Sequence, residues 1–289
     1  MFNVRLKPPA LLKNVLDTVK DLLTEAIFEF SELGIRIQMI DNAHVSVISL
    51  TLESDSFDEY WCDGGRRLGM NIRCLSKVLQ RTDAGDIVDL RAHSESVEVV
   101  FLSSKKEEEI KYEMELINID YIPQNMYLNQ NIYDISYSYI VKMPTAEFIH
   151  ICRDLSQLGE SITFACSKGS IKFSASGDNT SANIQVEQTA DADNEEKSVV
   201  IQMEDYQSPM KFTFPCRYLN NFPKIDLLCN QIQLSISDKV PLVCEYKMTH
   251  VKKSKKRNIG SIKYYLLPKI YDEEKNNDVE IRYSYATNL

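Results

Sequence analysis

Residues 11–23 read LLKNVLDTVKDLL, and the rest of the chain is built around this stretch. Its apolar residues follow the i, i+3, i+4 and i+7 spacing of one helix face, at Leu12, Val15, Leu16, Val19 and Leu23. Pro8 and Pro9 stand just before it, where proline suits a helix start. Lys13 and Lys20 lie seven residues apart, which at about 3.6 residues per turn is nearly the same angular position. The sequence therefore predicts a helix with one buried face and two cations on an exposed stripe.

This order, a strand, a helix and three further strands, recurs along the chain. The first copy has strands at Phe2–Leu6 and at 26–30, 35–40 and 45–52. The later copies carry helices at 72–81, 145–158 and 215–222, with strand-like runs at 57–62, 87–92, 97–102, 110–117, 139–143, 161–166, 170–176, 182–188, 232–237, 240–247 and 261–267. GIRIQMIDN and GSIKFSASG occupy the same slot in the two halves, as in an internal repeat. Because short turns join the strands, we expect an α+β fold of two similar domains, each with two helices packed on antiparallel sheet.

Length and a local change of composition divide the chain. Single cores seldom grow beyond about 250 residues, so a chain of 289 residues favours two domains. The stretch YIPQNMYLNQNIYDISY has three asparagines, two glutamines and no periodicity, which is typical of a connector. The sequence predicts an N-terminal domain at 1–120, a connecting loop at 121–137, a C-terminal domain at 138–270 and a tail at 271–289.

Composition excludes several classes of protein. Hydrophobic residues make up 44% and charged residues 26% of the chain, as in ordinary globular domains, and no apolar run is long enough to span a bilayer. The N-terminal stretch MFNVRLKPPA lacks the apolar core of a signal peptide, so we expect the chain on the cytosolic side of membranes, nucleus included. The seven cysteines include no C-x-x-C pair, which indicates reduced thiols and disfavours a zinc site. No metal or cofactor is predicted.

The net charge of −9 would by itself discourage binding to nucleic acid, which depends on Lys and Arg. Acidic residues, however, are concentrated at 53–59, 107–109 and 191–196, away from the predicted helices. The predicted helices instead carry basic residues, at Lys77 and Arg81, at His150 and Arg153, and at Arg217 and Lys224. For any one helix, a solvated surface from which cations extend is a sufficient explanation. Four such helices in an acidic chain favour a shared anionic ligand.

Several stretches resemble the proliferating cell nuclear antigen family of eukaryotic sliding clamps. They are LLKNVLDTVKDL, DNAHVSVISLTL, FDEYWCD, EFIHICRDLSQLG, KFSASGD, VPLVCEY and KYYLLPKI, and they extend from the first residues to Ile270. The connector, the loop from His250 to Gly260 and the tail after Ile270 do not match well.

The resemblance implies a DNA clamp fold in which a homotrimer forms a ring of six domains around duplex DNA. It implies a non-enzymatic processivity factor in the nucleus that tethers DNA polymerase and other replication and repair proteins and is placed on DNA by a clamp loader. The residues that would face the phosphates without reading sequence are Lys13, Lys20, Lys77, Arg81, His150, Arg153, Arg217 and Lys224.

The resemblance also implies a pocket for client peptides beside the connector. Its matching residues are Ile40, His44, Val45, Val47, Leu128, Pro241, Tyr265, Leu267 and Pro268. From the residues alone, Val45, Val47 and Leu267 fit an ordinary core equally well, and His44 fits a structural histidine.

Subunit contacts and one modification site follow from the same resemblance. The strand at 111–116 should pair with the strand near 179–185 of a neighbouring subunit, since a closed ring must satisfy such edges. The interface residues are Tyr112, Met114, Leu116, Asn183 and Ile184, and Lys168 occupies the slot that accepts ubiquitin or a related modifier.

Two segments have more than one interpretation. The run KKSKKR at Lys252 to Arg257 fits a solvated hairpin tip, a nuclear localisation signal or a DNA contact. The tail ends with Ile281, Tyr283 and Tyr285 in alternation, which fits an added strand or a docking segment.

Two other functions compete with the sliding clamp. An enzyme is not favoured, because the chain has no P-loop, no G-x-S-x-G, no H-E-x-x-H and no G-x-G-x-x-G. A clamp subunit that works only in a heterotrimer, as checkpoint clamps do, is distinguished from a homotrimer by the mass of the chain alone in solution.

Overall fold

The computed structural model describes residues 2–7, 9–41, 43–83, 85–93, 95–103, 108–120, 136–189, 195–203, 209–220, 225–238, 240–252, 255–272 and 277–280. The chain divides into two compact units. The first unit comprises residues 1–42, 48–122 and 248–262, and the second comprises 43–47, 123–247 and 263–289. Lys168 and the second pair of helices lie in the second unit, and Leu128 and Lys224 lie outside the described residues.

Among the residues that the structure describes, each unit contains two α-helices. The helices are α1 (Ala10–Val19), α2 (Ile72–Leu79), α3 (Thr145–Ser156) and α4 (Cys216–Leu219), and short 3-10 turns occur at Ser54–Ser56, Glu195–Lys197 and Ile225–Leu227. The Asn71 side chain caps α2 by accepting a hydrogen bond from the Cys74 backbone N–H at 2.9 Å. The other three helices begin behind a proline, whose fixed φ suits a helix start.

The first unit is built on antiparallel strands. They are β1 (Phe2–Leu6), β2 (Glu25–Ser31), β3 (Gly34–Ile40), β4 (Ser46–Glu53), β5 (Glu59–Cys62), β6 (Arg66–Asn71), β7 (Ile87–Ala92), β8 (Ser96–Leu102) and β9 (Glu109–Glu115). One sheet has the order β5-β1-β7-β8-β9, and the run β4-β3-β2-β6 belongs to another. β9 and β5 are therefore the edges of the five-stranded sheet.

The core of the first unit joins both of its helices to the sheets. Leu16 on α1 and Leu79 on α2 have no exposed area, and Phe2 stacks on Phe30 with ring centroids 3.9 Å apart. The burial of β1 alternates, so that Val4 is buried while its neighbours in the strand are half-exposed. This alternation leaves one face of the sheet to polar residues.

The second unit repeats this arrangement. Its strands are β10 (Tyr139–Pro144), β11 (Ser161–Ser167), β12 (Ser170–Ser176), β13 (Ser181–Glu187), β14 (Val200–Met203), β15 (Met210–Pro215), β16 (Gln231–Ile236), β17 (Leu242–Lys252), β18 (Lys255–Leu266), β19 (Lys269–Asp272) and β20 (Asn277–Glu280). One sheet has the order β13-β12-β11-β15-β19-β20, and another contains the run β14-β10-β16-β17-β18. The distal part of the β17–β18 hairpin, residues 248–262, belongs to the first unit.

An aromatic cluster fills the core of the second unit. Phe164 lies 4.9 Å from Phe173 and 5.1 Å from Phe214 between ring centroids, and Phe148 of α3 packs edge-on against the first two. Such edge-to-face pairs add about 0.5–1.5 kcal/mol each to the burial of the rings. This cluster holds α3 on its sheet.

The structure confirms the α+β fold, with two helices in the described part of each unit, and corrects several element bounds. α1 ends at Val19, so the prediction of a helix through residue 23 is wrong for its last turn. Leu22 and Leu23 are nevertheless buried, because the chain beyond the helix still packs on the core. β6 and β15 are not predicted from the sequence, since each is short and directly precedes a helix.

Candidate nucleic-acid interface

In the first unit, α1 and α2 are neighbours that bury one face each. α1 buries Leu12, Val15, Leu16 and Val19, and α2 buries Ile72, Leu75 and Leu79. In both helices, the residues at the helical apolar spacing are therefore the ones that are buried. Every Lys and Arg of the two helices lies outside these buried sets, and Arg73, Lys77 and Arg81 are exposed.

Polar contacts join the two helices across their seam. Lys13 Nζ donates to the Gln80 carbonyl at 3.2 Å, and Arg73 Nε donates to the Lys20 carbonyl at 3.2 Å. Both acceptors lie at helix C-termini, where cations are favoured by the helix dipole. The contacts place cations from both helices along one seam.

Asp17 is the only acidic residue within the two helices, and it faces Lys20. Lys20 Nζ lies 2.5 Å from Asp17 Oδ1, which also accepts a hydrogen bond from Ser76 Oγ at 2.8 Å. The Lys20 side chain is only 23% exposed. The sequence predicts Lys20 on an exposed cationic stripe, but in the structure Asp17 partly neutralises its charge. The i, i+3 spacing of Asp17 and Lys20 is the sequence signal for this pair.

Arg81 follows the end of α2 and reaches the edge of the five-stranded sheet. Its Nη1 donates to the Tyr112 hydroxyl on β9 at 3.2 Å. The family resemblance assigns Arg81 to a DNA contact and Tyr112 to the subunit interface. The structure brings the two side chains into contact.

The second helix pair, α3 and α4, carries a different balance of charge. His150 and Arg153 are exposed on α3, but Glu147 and Asp154 are exposed on the same helix. On α4 the Arg217 guanidinium lies 4.8 Å from the Tyr218 ring centroid, and Nη2 donates to the Tyr218 hydroxyl at 3.0 Å. The described cations of this pair are therefore fewer, and each has acidic or aromatic neighbours.

The residues assigned to the subunit interface lie on two edge strands. β9 is one edge of the five-stranded sheet, and β13 is one edge of the six-stranded sheet. Tyr112, Met114 and Ile184 are half-buried, and Asn183 is exposed. Leu116 follows β9, and its N–H donates to the Glu95 carbonyl at 3.0 Å. Unpaired edges of this kind are available for pairing with another chain.

An open groove of about 1480 Å³ borders the β13 edge within the second unit. Hydroxyl-bearing side chains such as Ser161, Thr163 and Thr213 line it, together with Asn183, and Arg217 lies at its rim. The lining suits a polar protein surface better than an apolar ligand.

The residues assigned to the client-peptide pocket differ widely in burial. Val45 and Val47 have no exposed area and Tyr265 is buried, whereas His44, Leu267 and Pro268 are half-buried. The Leu267 N–H donates to the Val45 carbonyl at 3.3 Å, which ties the two segments together. His44 has a left-handed backbone with φ of 61°. Pro241 is also buried and Ile40 is 8% exposed, while Lys168 is exposed in the β11–β12 turn.

The described residues offer no metal site, since no three His, Cys, Asp or Glu side chains come together in them. All seven cysteines are free, and only Cys74 is exposed. Burial raises the pKa of Cys166 to about 12 and that of Cys229 to about 12, so both thiols stay protonated near neutral pH. In the part of the chain that the structure describes, no helix is both long and apolar enough to cross a membrane.

Two similar units, each with a helix pair on antiparallel sheet, define the DNA clamp fold. The N-terminal domain of proliferating cell nuclear antigen matches residues 1–124, and the C-terminal domain of proliferating cell nuclear antigen matches residues 131–269. The chain therefore belongs to the proliferating cell nuclear antigen family. The resemblance seen in the sequence is confirmed.

Proposed function

We propose that this chain forms a homotrimeric ring that encircles duplex DNA in the nucleus and tethers DNA polymerase and other replication and repair proteins. The observation that carries the proposal is the match of both family domains to a chain whose α1–α2 seam is lined by cations. A clamp loader would open the ring and place it on DNA.

The helix cations would act on DNA by charge alone. Phosphate contacts position a protein without reading bases, and each contact that is lost reduces the salt dependence of binding by about 0.9 in log–log slope. A modest number of contacts from exposed side chains would hold the duplex while allowing the ring to slide. Lys13, Lys77, Arg81 and Arg153 are suited to this role by their position on the helices.

Client proteins would bind at the pocket beside the connector through a short peptide motif. The half-buried residues His44, Leu267 and Pro268 are the accessible part of this surface. Val45 and Val47 would support it from beneath, since neither has exposed area. Partner specificity would then depend on the rim more than on the two valines.

The mass of the purified chain in solution tests the ring. A homotrimer of the 33.3 kDa chain should elute with a mass of about 100 kDa at micromolar concentration. A mass near that of one chain, with trimers forming only after related subunits are added, would support the heterotrimeric alternative. Stimulation of a DNA polymerase on primed circular DNA by the loaded trimer tests the tethering role.

A further inference from the structure

Arg81 follows the end of α2, where hydrogen bonds hold its backbone. The Arg81 N–H donates to the Val78 carbonyl at 3.4 Å. The Thr82 N–H and hydroxyl both donate to the Leu79 carbonyl, at 3.1 and 2.7 Å. Thr82 is buried, whereas Arg81 is exposed. The Arg81 side chain therefore extends toward solvent from a backbone that is fixed.

Tyr112 is held on the edge strand β9 by the core of the first unit. Its ring meets Phe101 of β8 edge-on, with ring centroids 5.5 Å apart and an interplanar angle of 89°. Phe101 is only 4% exposed. Tyr112 also lies opposite the fully buried Val99 in the antiparallel register of β8 and β9. The core therefore determines where the Tyr112 hydroxyl lies.

One hydrogen bond joins the two residues, from Arg81 Nη1 to the Tyr112 hydroxyl at 3.2 Å. A long exposed side chain loses rotamer freedom when it binds a ligand, and a contact that fixes the side chain beforehand reduces this cost. The hydroxyl thus orients the guanidinium at the C-terminal end of α2 before any ligand arrives.

The Tyr112 hydroxyl orients Arg81 without neutralising its charge. A guanidinium has five N–H donors, and a phenol hydroxyl is a neutral acceptor that occupies one of them. Lys20 differs, because the Asp17 carboxylate lies 2.5 Å from its ammonium and offsets its charge. Among the residues that the structure describes, no carboxylate forms an ion pair with Arg81. Its remaining donors suit the oxygens of a phosphate, which arginine can bind in a bidentate manner.

We propose that Tyr112 is a positioning residue for DNA binding, because its hydroxyl holds the Arg81 guanidinium in place for a phosphate of the duplex. The inference rests on the proposed function, since it requires that the first helix pair contacts DNA. It gives Tyr112 a role besides the subunit contact that the family resemblance implies. Because Tyr112 lies on the edge strand β9, DNA affinity would also respond to changes at that edge.

A double-mutant cycle on the full-length protein and a short linear duplex tests the inference. Tyr112→Phe removes the hydroxyl oxygen and keeps the ring that packs on Phe101. It is made alone and in combination with Arg81→Gln or Lys77→Gln, and each of these two substitutions is also made alone. Lys77 is the matched control, because it is an exposed cation of the same helix and has no contact with Tyr112 among the described residues. Affinity is measured at several NaCl concentrations, with protein concentrations at which all variants have the same solution mass.

We expect Tyr112→Phe alone to weaken binding about fivefold, which is the effect of one ordinary hydrogen bond. Arg81→Gln should lower the slope of log affinity against log salt by about 0.9. Adding Tyr112→Phe to Arg81→Gln should weaken binding no further, because no guanidinium remains to be positioned. Adding it to Lys77→Gln should again cost about fivefold, since the two sites are independent.

Equal weakening by Tyr112→Phe in all three backgrounds would overturn the inference, because a loosened edge strand or a weakened ring acts whatever residue stands at position 81. An unchanged affinity of Tyr112→Phe alone would overturn it as well. If Arg81→Gln leaves the salt slope unchanged while Lys77→Gln lowers it, the inference is wrong and DNA binding by the helices stands. If neither substitution lowers the slope, the inference and the proposed DNA binding fail together.

Discussion

The two helix pairs have the same architecture but different charge. α1 and α2 with their flanks contribute Lys13, Lys20, Arg73, Lys77 and Arg81 against Asp17 and Asp21, and the stretch from Asn71 to Arg81 has no acidic residue. The described part of α3 and α4 contributes Arg153 and Arg217, with Glu147 and Asp154 on α3. The two units therefore share a fold but offer an anionic ligand different numbers of helix cations. On the proposed function, the first helix pair would hold DNA more strongly than the second.

The matching strand pairs, β1–β7 in the first unit and β10–β16 in the second, also differ in charge. In the first unit, Arg5 of β1 donates to both oxygens of Asp89 on β7, at 2.7 and 2.8 Å, and Arg91 donates to the same carboxylate at 2.9 Å. The Asp89 side chain has no exposed area. At the matching register of the second unit, Lys142 of β10 faces the neutral Gln233 of β16. In the first unit a carboxylate with no exposed area thus binds two partly exposed arginines, whereas its counterpart in the second unit is a lysine that faces a neutral amide.

The largest expected difference between the units is in DNA binding. Reversing Lys77 and Arg81 to Glu should lower the salt slope on linear duplex by about 2, because on the proposed function two phosphate contacts would be lost. Reversing Arg153 and Arg217 makes the same formal change but should lower it by only about 1, since the Tyr218 ring and hydroxyl already engage Arg217.

Reversing the exposed Lys172 and Lys211 of β12 and β15 is the control, and it should leave the slope unchanged. Solution mass must be checked for Arg81→Glu, whose side chain contacts Tyr112. Equal losses from both helix pairs would remove the proposed asymmetry.

The next largest effect concerns the stability of the first unit. Asp89→Asn should lower the free energy of unfolding by about 2 kcal/mol, less than the 3–5 kcal/mol of a fully buried pair because Arg5 is 30% exposed. Glu98→Gln removes only the outer partner of Arg91, at 3.8 Å, and should cost less than about 1 kcal/mol. Denaturant midpoints measure the loss, and hydrogen exchange should locate it in β1 and β7. Losses of equal size would mean that the buried carboxylate has no special role.

The smallest effect is the response of the two units to acid. Hydrogen bonds from Arg5 hold the pKa of Asp89 below its usual value. Because the pKa is lower in the folded state, the stabilisation is present above pH about 4, the unfolded value, and is lost as pH falls through the lower folded value. Amides of β1 and β7 should lose exchange protection in that range before those of β10 and β16. In Asp89→Asn this difference should disappear, and its persistence would assign the acid response to other groups.

Sequence reasoning succeeds where the signal is local. The apolar period of residues 11–23 locates α1 and its buried face, and the repeat indicates two similar units. It misplaces the end of α1, because Leu22 and Leu23 remain buried after the helix stops. The ion pair of Asp17 and Lys20, which are three residues apart, could be predicted from their spacing. Arg5 and Asp89, 84 residues apart, are not.

The candidate nucleic-acid interface could also be predicted only in part from the sequence. Periodicity identifies the cations that lie away from the buried helix faces, but only the fold brings Arg73 to the end of α1 and Arg81 to Tyr112. The pocket residues came from resemblance alone, and the structure adds that Val45 and Val47 are fully buried. Burial depends on what packs above a residue, which its own sequence neighbours do not specify.

By itself, the sequence determined the fold class, the twofold repeat and the buried face of α1, because each follows from the order of apolar and polar residues over a few turns or strands. The tertiary structure alone decided which helix charges are neutralised and which strands are edges. These properties depend on contacts between residues that are distant along the chain, and only the folded packing of the sheets and helices brings such residues together.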